Sequence, residues 1–124
     1  MIKLQRNSII ENRILIYESD DNIKVEVILE DENIWLTQEQ ISKLYNKAKS
    51  TINEHIKNIY SEQELLEANT MRKFGNSEFS TKPKNYYNLD MIIAIGFRVK
   101  SKEGTRFRIW ANEKLKEYLI KGYN

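Results

Sequence analysis

Residues 34–59 read IWLTQEQISKLYNKAKSTINEHIKNI, and the rest of the chain is interpreted around them. Thr37 followed three residues later by Gln40 has the chemistry of a capping box, in which two side chains satisfy two orphan backbone donors at a helix start. A first helix is therefore expected from about Gln38. Ile41 and Leu44 give it an apolar stripe, and Asn46 tolerates the left-handed backbone that a tight interhelical turn requires. A second helix opens at Lys49 or Ser50, with the small Ala48 expected where it approaches the first. Ile52, Ile56 and Ile59 recur at spacings of four and three, which marks one buried face. The opposite face offers Lys49, Ser50, Thr51, Asn53, Glu54, Lys57 and Asn58, groups able to meet phosphates and base edges. The pattern is that of a helix-turn-helix, although two amphipathic helices joined by a short turn also occur in proteins that never touch nucleic acid.

The segments on either side extend this frame. Residues 14–29, ILIYESDDNIKVEVIL, hold two strand-like runs around the turn formers SDDN, and the second run alternates Ile23, Val25, Val27 and Leu29 with Lys24, Glu26 and Ile28. This reads as a β-hairpin with one buried face. Glu30, Asp31 and Glu32 follow as a solvated acidic loop rather than a metal site, and Ile34, Trp35 and Leu36 form a short segment able to pair with the hairpin. Beyond the helix pair, Ser61 to Asn69 reads as a helical turn or irregular link. Arg72 to Phe74 and Asn85 to Leu89 look like strands separated by the polar loop GNSEFSTKPK, which contains the only proline, Pro83. A hairpin after a recognition helix is the element order of a winged helix-turn-helix. Lys82 and Lys84 would then face phosphate, or would simply keep a loop soluble.

Asp90 is placed to cap a buried helix through MIIAIGFRV, ending near Gly96 to Val99. A long amphipathic helix is expected from about Thr105 to Ile120, with Gly122 as its stop and Phe107, Trp110, Ala111, Leu115 and Leu119 at helical spacings. Trp110 is expected to be buried against the helix pair or the preceding helix. Arg98, Lys100, Lys102, Arg106 and Arg108 crowd the junction of the last two helices, where they could hold phosphates or acidic side chains of a partner, or cover apolar surface with their stems.

Composition agrees with one domain of 124 residues, divided into a hairpin region (1–33), a helix pair with wing (34–89) and C-terminal helices (90–124). The net charge is only +2, but it is unevenly distributed. Residues 1–40 carry four basic and nine acidic side chains, and residues 41–124 carry sixteen and nine. The basic part holds the helix pair, as a polyanion binder requires. There is no cysteine, which removes disulfides and thiol chemistry. No run of about 18 apolar residues and no signal-peptide pattern occurs, so a cytoplasmic location without membrane contact is expected. The single histidine, His55, sits on the second helix in a polar or partly packed role. No nucleophile motif or phosphate-binding glycine loop is present, so no enzymatic activity, cofactor or metal is expected.

IWLTQEQISKLY, STINEHIKNIY and YYNLDMIIAIGFRVKSKEGTRFRIWANEKLKEYLIKG together resemble the RhuM family of bacterial virulence-associated proteins. FRVKSKEGTRFRIWANEKLKEYLIKG is also similar, more loosely, to the C-terminal part of phage Bro-N domains, which are associated with DNA binding. RhuM-like chains usually continue further, so a stop at Asn124 implies an isolated N-terminal domain or a short member. The resemblance implies a fold lineage and supplies no catalytic residue. The expected fold is α+β, a winged helix-turn-helix with an N-terminal β-hairpin and two C-terminal helices. The expected function is regulatory binding of double-stranded DNA. A protein-interaction module docking an acidic partner or a further C-terminal domain is the alternative, and a homodimer is left open.

Overall fold

The computed structural model describes residues 14–74 and 84–122. Among them are five strands and five helices in an α+β arrangement, with one antiparallel sheet ordered β1-β2-β3-β5-β4. β1 (Ile14–Glu18) and β2 (Lys24–Glu30) form the expected hairpin, in register Tyr17 opposite Val25. Ser19 fixes its turn: the hydroxyl oxygen accepts from the backbone N–H of Asp21 (3.1 Å) and of Ile23 (3.2 Å). Tyr17, Val25, Val27 and Leu29 are buried, as period-two alternation demands. Asp31 and Glu32 make a two-residue turn with φ of 55° and 58°, the left-handed pair that matches hairpin twist. Asp31 then reaches Arg72, so one acid of the loop is ion-paired across the sheet.

β3 (Asn33–Thr37) pairs with β2 and runs directly into α1 (Gln38–Tyr45). The capping box is complete. The Gln40 N–H donates to Thr37 Oγ1 at 3.1 Å, and the Thr37 N–H donates to Gln40 Oε1 at 2.8 Å. Such a cap stabilises a helix by about 1 kcal/mol. Asn46 ends α1 with φ 55° and ψ 49°, and α2 (Lys49–Ser61) begins after Ala48. Ile52, Ile56 and Ile59 are buried, each burial contributing about 1.5–3 kcal/mol. Ala48 departs from expectation: it is exposed and its small size serves no helix contact.

After a single helical turn, α3 (Glu67–Thr70), the chain forms β4 (Met71–Phe74) and β5 (Lys84–Asn88). β5 lies between β4 and β3, with Tyr87 opposite both Met71 and Leu36. Lys82 and Pro83 fall outside the described residues.

α4 (Leu89–Val99) is capped by Asn88, whose Oδ1 accepts from the Met91 N–H at 3.3 Å. Asp90 is therefore not the cap but lies in the first turn, still at the favourable end of the dipole. Lys100, with φ 56°, turns the chain into α5 (Lys102–Gly122). This helix starts three residues before the expected Thr105, because Ser101 Oγ accepts from the Glu103 N–H at 3.0 Å and supplies a start signal ahead of Gly104.

The core lies between the sheet's inner face and the helices, with Ile34, Leu36, Leu44, Ile92, Ile95, Phe107 and Ala111 buried. Tyr45 of α1 enters where α4 meets α5, its hydroxyl donating to the Ile92 carbonyl at 2.6 Å. Gly96 is needed there: a Cβ on it would lie 2.7 Å from Tyr45 Oη and 3.3 Å from Gly104 Cα. Trp110 differs from expectation. It is half-buried and packs edge-on against Tyr17 of β1, with centroids 5.2 Å apart, rather than against the helix pair. No helix among the described residues is long and apolar enough to cross a membrane.

Candidate nucleic-acid interface

The position of α2 is set by four hydrogen bonds around its start. The Asn46 N–H reaches the Lys43 carbonyl at 3.3 Å and the Lys47 N–H reaches the Ser42 carbonyl at 3.0 Å, closing the end of α1. The Ser42 hydroxyl donates to the Lys47 carbonyl at 2.6 Å, and Gln38 Nε2 donates to the Lys49 carbonyl at 2.9 Å. The last bond ties the first turn of α1 to the first turn of α2. Ala48 provides no side-chain cap, so the opening N–H groups of α2 have no side-chain acceptor there. Lys49, Ser50, Glu54, Lys57 and Asn58 are exposed, whereas Thr51 and Asn53 are half-buried on the flanks. Five of the seven residues expected on this face are thus exposed, and Thr51 and Asn53 stand at its edges.

The other end of α2 is held by charge. Glu62 and Glu64, just past the helix, both accept from Arg98 of α4, at 2.7 and 2.8 Å. Hydrogen bonds to Glu62 and then Glu64 push the Arg98 guanidinium pKa up still further. Arg98 therefore anchors α4 to the link after α2 rather than facing outward as a spare cation. Arg106 is also engaged, 3.9 Å from Asp20 and 3.6 Å from the buried Glu103. The Glu103 carboxylate accepts in turn from the Tyr17 hydroxyl. Burial first, and then that hydrogen bond, raise the Tyr17 phenol pKa. Lys100, Lys102 and Arg108 are exposed and have no ion pair among the described residues. The five-residue basic cluster is in this way divided into one arginine held by two short ion pairs, Arg98, one exposed arginine near two acids, Arg106, and three exposed cations without an ion pair among the described residues.

Lys102 and Arg106 line a cavity of about 450 Å³ with Asn46 of the interhelical turn, and Asp20, Asp21 and Glu103 give that cavity more acid than base. Lys84 opens β5, exposed at the strand end opposite Phe74. It borders a groove of about 700 Å³ in which Lys24 and Lys43 alternate with Glu18, Glu26 and Glu39. On the sheet's outer face Trp35 is covered by Arg72, whose guanidinium lies 4.5 Å from the ring centroid, and by Phe74 at 5.7 Å. This packing buries an aromatic on the side away from the helices, and the alternation of β3 alone gave no hint of it.

Residues 64–124 match the model of the virulence protein RhuM family. Just under half of the chain is thus similar to that family. No curated protein and no solved structure gives a match of comparable weight. The RhuM region takes in the link after α2, the β4–β5 hairpin and both C-terminal helices, and so Lys82, Lys84, Arg98, Lys100, Lys102, Arg106 and Arg108. Lys49 to Asn58 precede it, as do IWLTQEQISKLY and STINEHIKNIY. The ion pairs of Arg98 to Glu64 and of Lys114 to Glu117 lie within the RhuM region, whereas those of Arg98 to Glu62 and Arg106 to Asp20 join it to the preceding residues.

His55 is half-buried, and its Nδ1 is enclosed without a hydrogen-bond partner, which places it at the rim of the core. Its position between Ile52 and Ile56 on α2 was visible in the sequence, but the enclosure of the ring was not. The Glu62–Arg98–Glu64 bridge was also missed, because residues 34 and 36 positions apart carry no local signal of contact.

Proposed function

We propose that this chain is a winged-helix DNA-binding domain that places α2 in the major groove and uses the β4–β5 hairpin as a flanking wing, as a cytoplasmic regulator of transcription. The observation that carries the reading is connectivity. The strand that feeds α1 pairs with the second strand of the hairpin that follows α2, in the order β3-β5-β4, so the hairpin is fixed to the same frame as the helix pair. A helix with its polar face outward and a hairpin held on the same sheet are the two parts such a domain uses, side chains for base edges and strands for phosphate. β1 and β2 widen the sheet on the other side of β3 and leave α2 uncovered.

Of the cations expected at DNA, Lys49, Lys57, Lys84, Lys100, Lys102 and Arg108 are exposed and without an ion pair among the described residues. If about three to five of them are engaged together, log K should fall with log salt at a slope of about −3 to −4.5. Titrating fluorescent duplex DNA by anisotropy at several salt concentrations measures it. No binding at the lowest salt refutes the reading. The protein-docking alternative draws on a different observation, the exposure of Phe97 (77%) on α4 and Ile109 (51%) on α5. A chain that ignores duplex DNA but loses a partner on Phe97→Ala supports that alternative.

A further inference from the structure

We propose that Glu54 is the base-reading side chain of α2, and that its carboxylate accepts from the exocyclic amine of cytosine, so that the preferred duplex carries a C·G pair at the position this residue faces. The inference rests on α2 being the helix that enters the groove. At about 100° per residue, Glu54 points almost opposite to the mean direction of the buried Ile52, Ile56 and Ile59. Ser50 and Lys57 flank it, and Asn53 is turned toward the core side. The outermost side chain of a helix presented to a polyanion is thus an acid.

Glu54 is also uncommitted. It has no ion pair or hydrogen bond among the described residues, although Lys57 and Asn58 lie three and four positions on. Asp31, Glu62, Glu64 and Glu103 are in ion pairs; Glu39, Glu67, Asp90 and Glu113 have none either among the described residues, but Glu54 is the one acid on α2. An unpaired carboxylate near phosphates is repelled, which lowers affinity for every sequence alike. In the centre of the major groove it finds donors, and there the base matters. A carboxylate only accepts, so it pairs with the N4 amine of cytosine, meets N7 beside the N6 amine of adenine, and is rejected by the acceptor edges of guanine and of the thymine carbonyl. Repulsion from the wrong sequences and acceptance by the right one raise the specificity ratio together.

The test uses the full chain with Glu54→Gln and Glu54→Ala, and with Glu113→Gln, an exposed acid on α5, as control. Selection from random duplexes and anisotropy on a random-sequence duplex are measured side by side, with thermal melts to establish that all variants fold. Glu54→Ala should lose about 5- to 150-fold of discrimination at one C·G pair. Glu54→Gln, which can both donate and accept, should move that preference toward A·T. Both should bind random duplex roughly three- to tenfold more tightly at low salt, with the control within about twofold. Unchanged base preference in Glu54→Gln, or random-duplex binding that is unaltered or weaker, overturns the proposal and leaves DNA binding standing. A wild type that binds duplex without sequence preference does the same. A wild type that binds no duplex removes the underlying reading, and this inference with it.

Discussion

Gly96→Ala tests the tightest contact in the fold. The new methyl would lie 2.7 Å from Tyr45 Oη and 3.3 Å from Gly104 Cα, so a side chain or a helix must move. Tyr45 cannot swing away cheaply, because it is buried and its hydroxyl is bonded to the Ile92 carbonyl at 2.6 Å. Overpacking of this kind costs about 1–3 kcal/mol, and losing a buried hydrogen bond adds about 1. Against this, alanine is the better helix former by about 1 kcal/mol. The net expectation is destabilisation of about 1–3 kcal/mol. Tyr45→Phe should itself cost about 1 kcal/mol, while removing the atom with which the methyl collides. Combined with Gly96→Ala it should therefore cost less than the two penalties added, by about 1–2 kcal/mol. Gly104→Ala is the internal comparison: its methyl would sit 3.4 Å from Gly96 Cα and 3.6 Å from Tyr45 Oη, ordinary contact distances, and stability should change by less than about 1 kcal/mol. Urea unfolding with a common m-value measures all four variants. A Gly96→Ala protein as stable as wild type, or penalties that simply add, refutes the idea that the Tyr45 hydroxyl and this glycine are fitted to one another.

Trp110→Ala should lower stability by about 2–3 kcal/mol, less than a fully buried tryptophan, and Tyr17→Phe in the same background should be nearly additive because the lost contact is ring on ring; an unchanged unfolding midpoint for Trp110→Ala would show that the ring contributes nothing to the fold. Burial raises the phenol pKa of Tyr17 and of Tyr45 above the ordinary 10.0, so their contribution to stability is intact below pH 10 and is lost as pH rises from there through the folded values, at about 1.4 kcal/mol per pH unit per group. Urea melts between pH 9 and pH 11 should show that decline, and Tyr45→Phe should make it shallower. On DNA, Lys57→Ala should weaken all sequences alike and reduce the salt slope by about one unit, whereas Asn53→Ala should act at one base step if its half-buried amide still reaches the groove; selection with each variant separates the two, and equal sequence-blind losses would mean that α2 is a docking face and not a reading head.

What was legible in the sequence was local. Thr37 and Gln40 are three residues apart, Ile52, Ile56 and Ile59 lie within two turns, and Val25, Val27 and Leu29 alternate, so each pattern is complete inside one element. Where two neighbouring signals competed, the surroundings chose. Asn88 and Asp90 are both good caps, and Asn88 wins because β5 runs up to it and its amide also donates to the Asn69 carbonyl at 3.2 Å. α5 begins at Lys102 and so takes in Gly104, whose roughly 1 kcal/mol helix penalty is accepted where its backbone packs against Gly96 of α4. The Asp31–Glu32 turn was read as a solvated acidic loop, because two acids in left-handed backbone lack the Asn-Gly signature of such a turn.

The charge of the candidate interface was the least legible feature, because a sequence lists charges and not pairs. Five bases between Arg98 and Arg108 read as one polyanion-binding cluster, yet Arg98 is held by Glu62 and Glu64, and Arg106 by Asp20 and Glu103. Three of those four acids come from outside the cluster, from the β1–β2 turn and from the link after α2. Arg98 is thus drawn inward, Arg106 stays exposed beside its two acids, and the cluster's exposed bases without an ion pair among the described residues are two lysines and Arg108. Lysine suits phosphate as a point charge and carries little geometric information, whereas a bidentate guanidinium would read guanine. An interface of this composition can supply affinity from α5 and the hairpin, but sequence discrimination has to come from the polar side chains of α2. On the proposed reading, Glu54 and Asn53 are the α2 positions where substitutions should change which DNA is bound, while Lys57 on the same helix bears on how tightly.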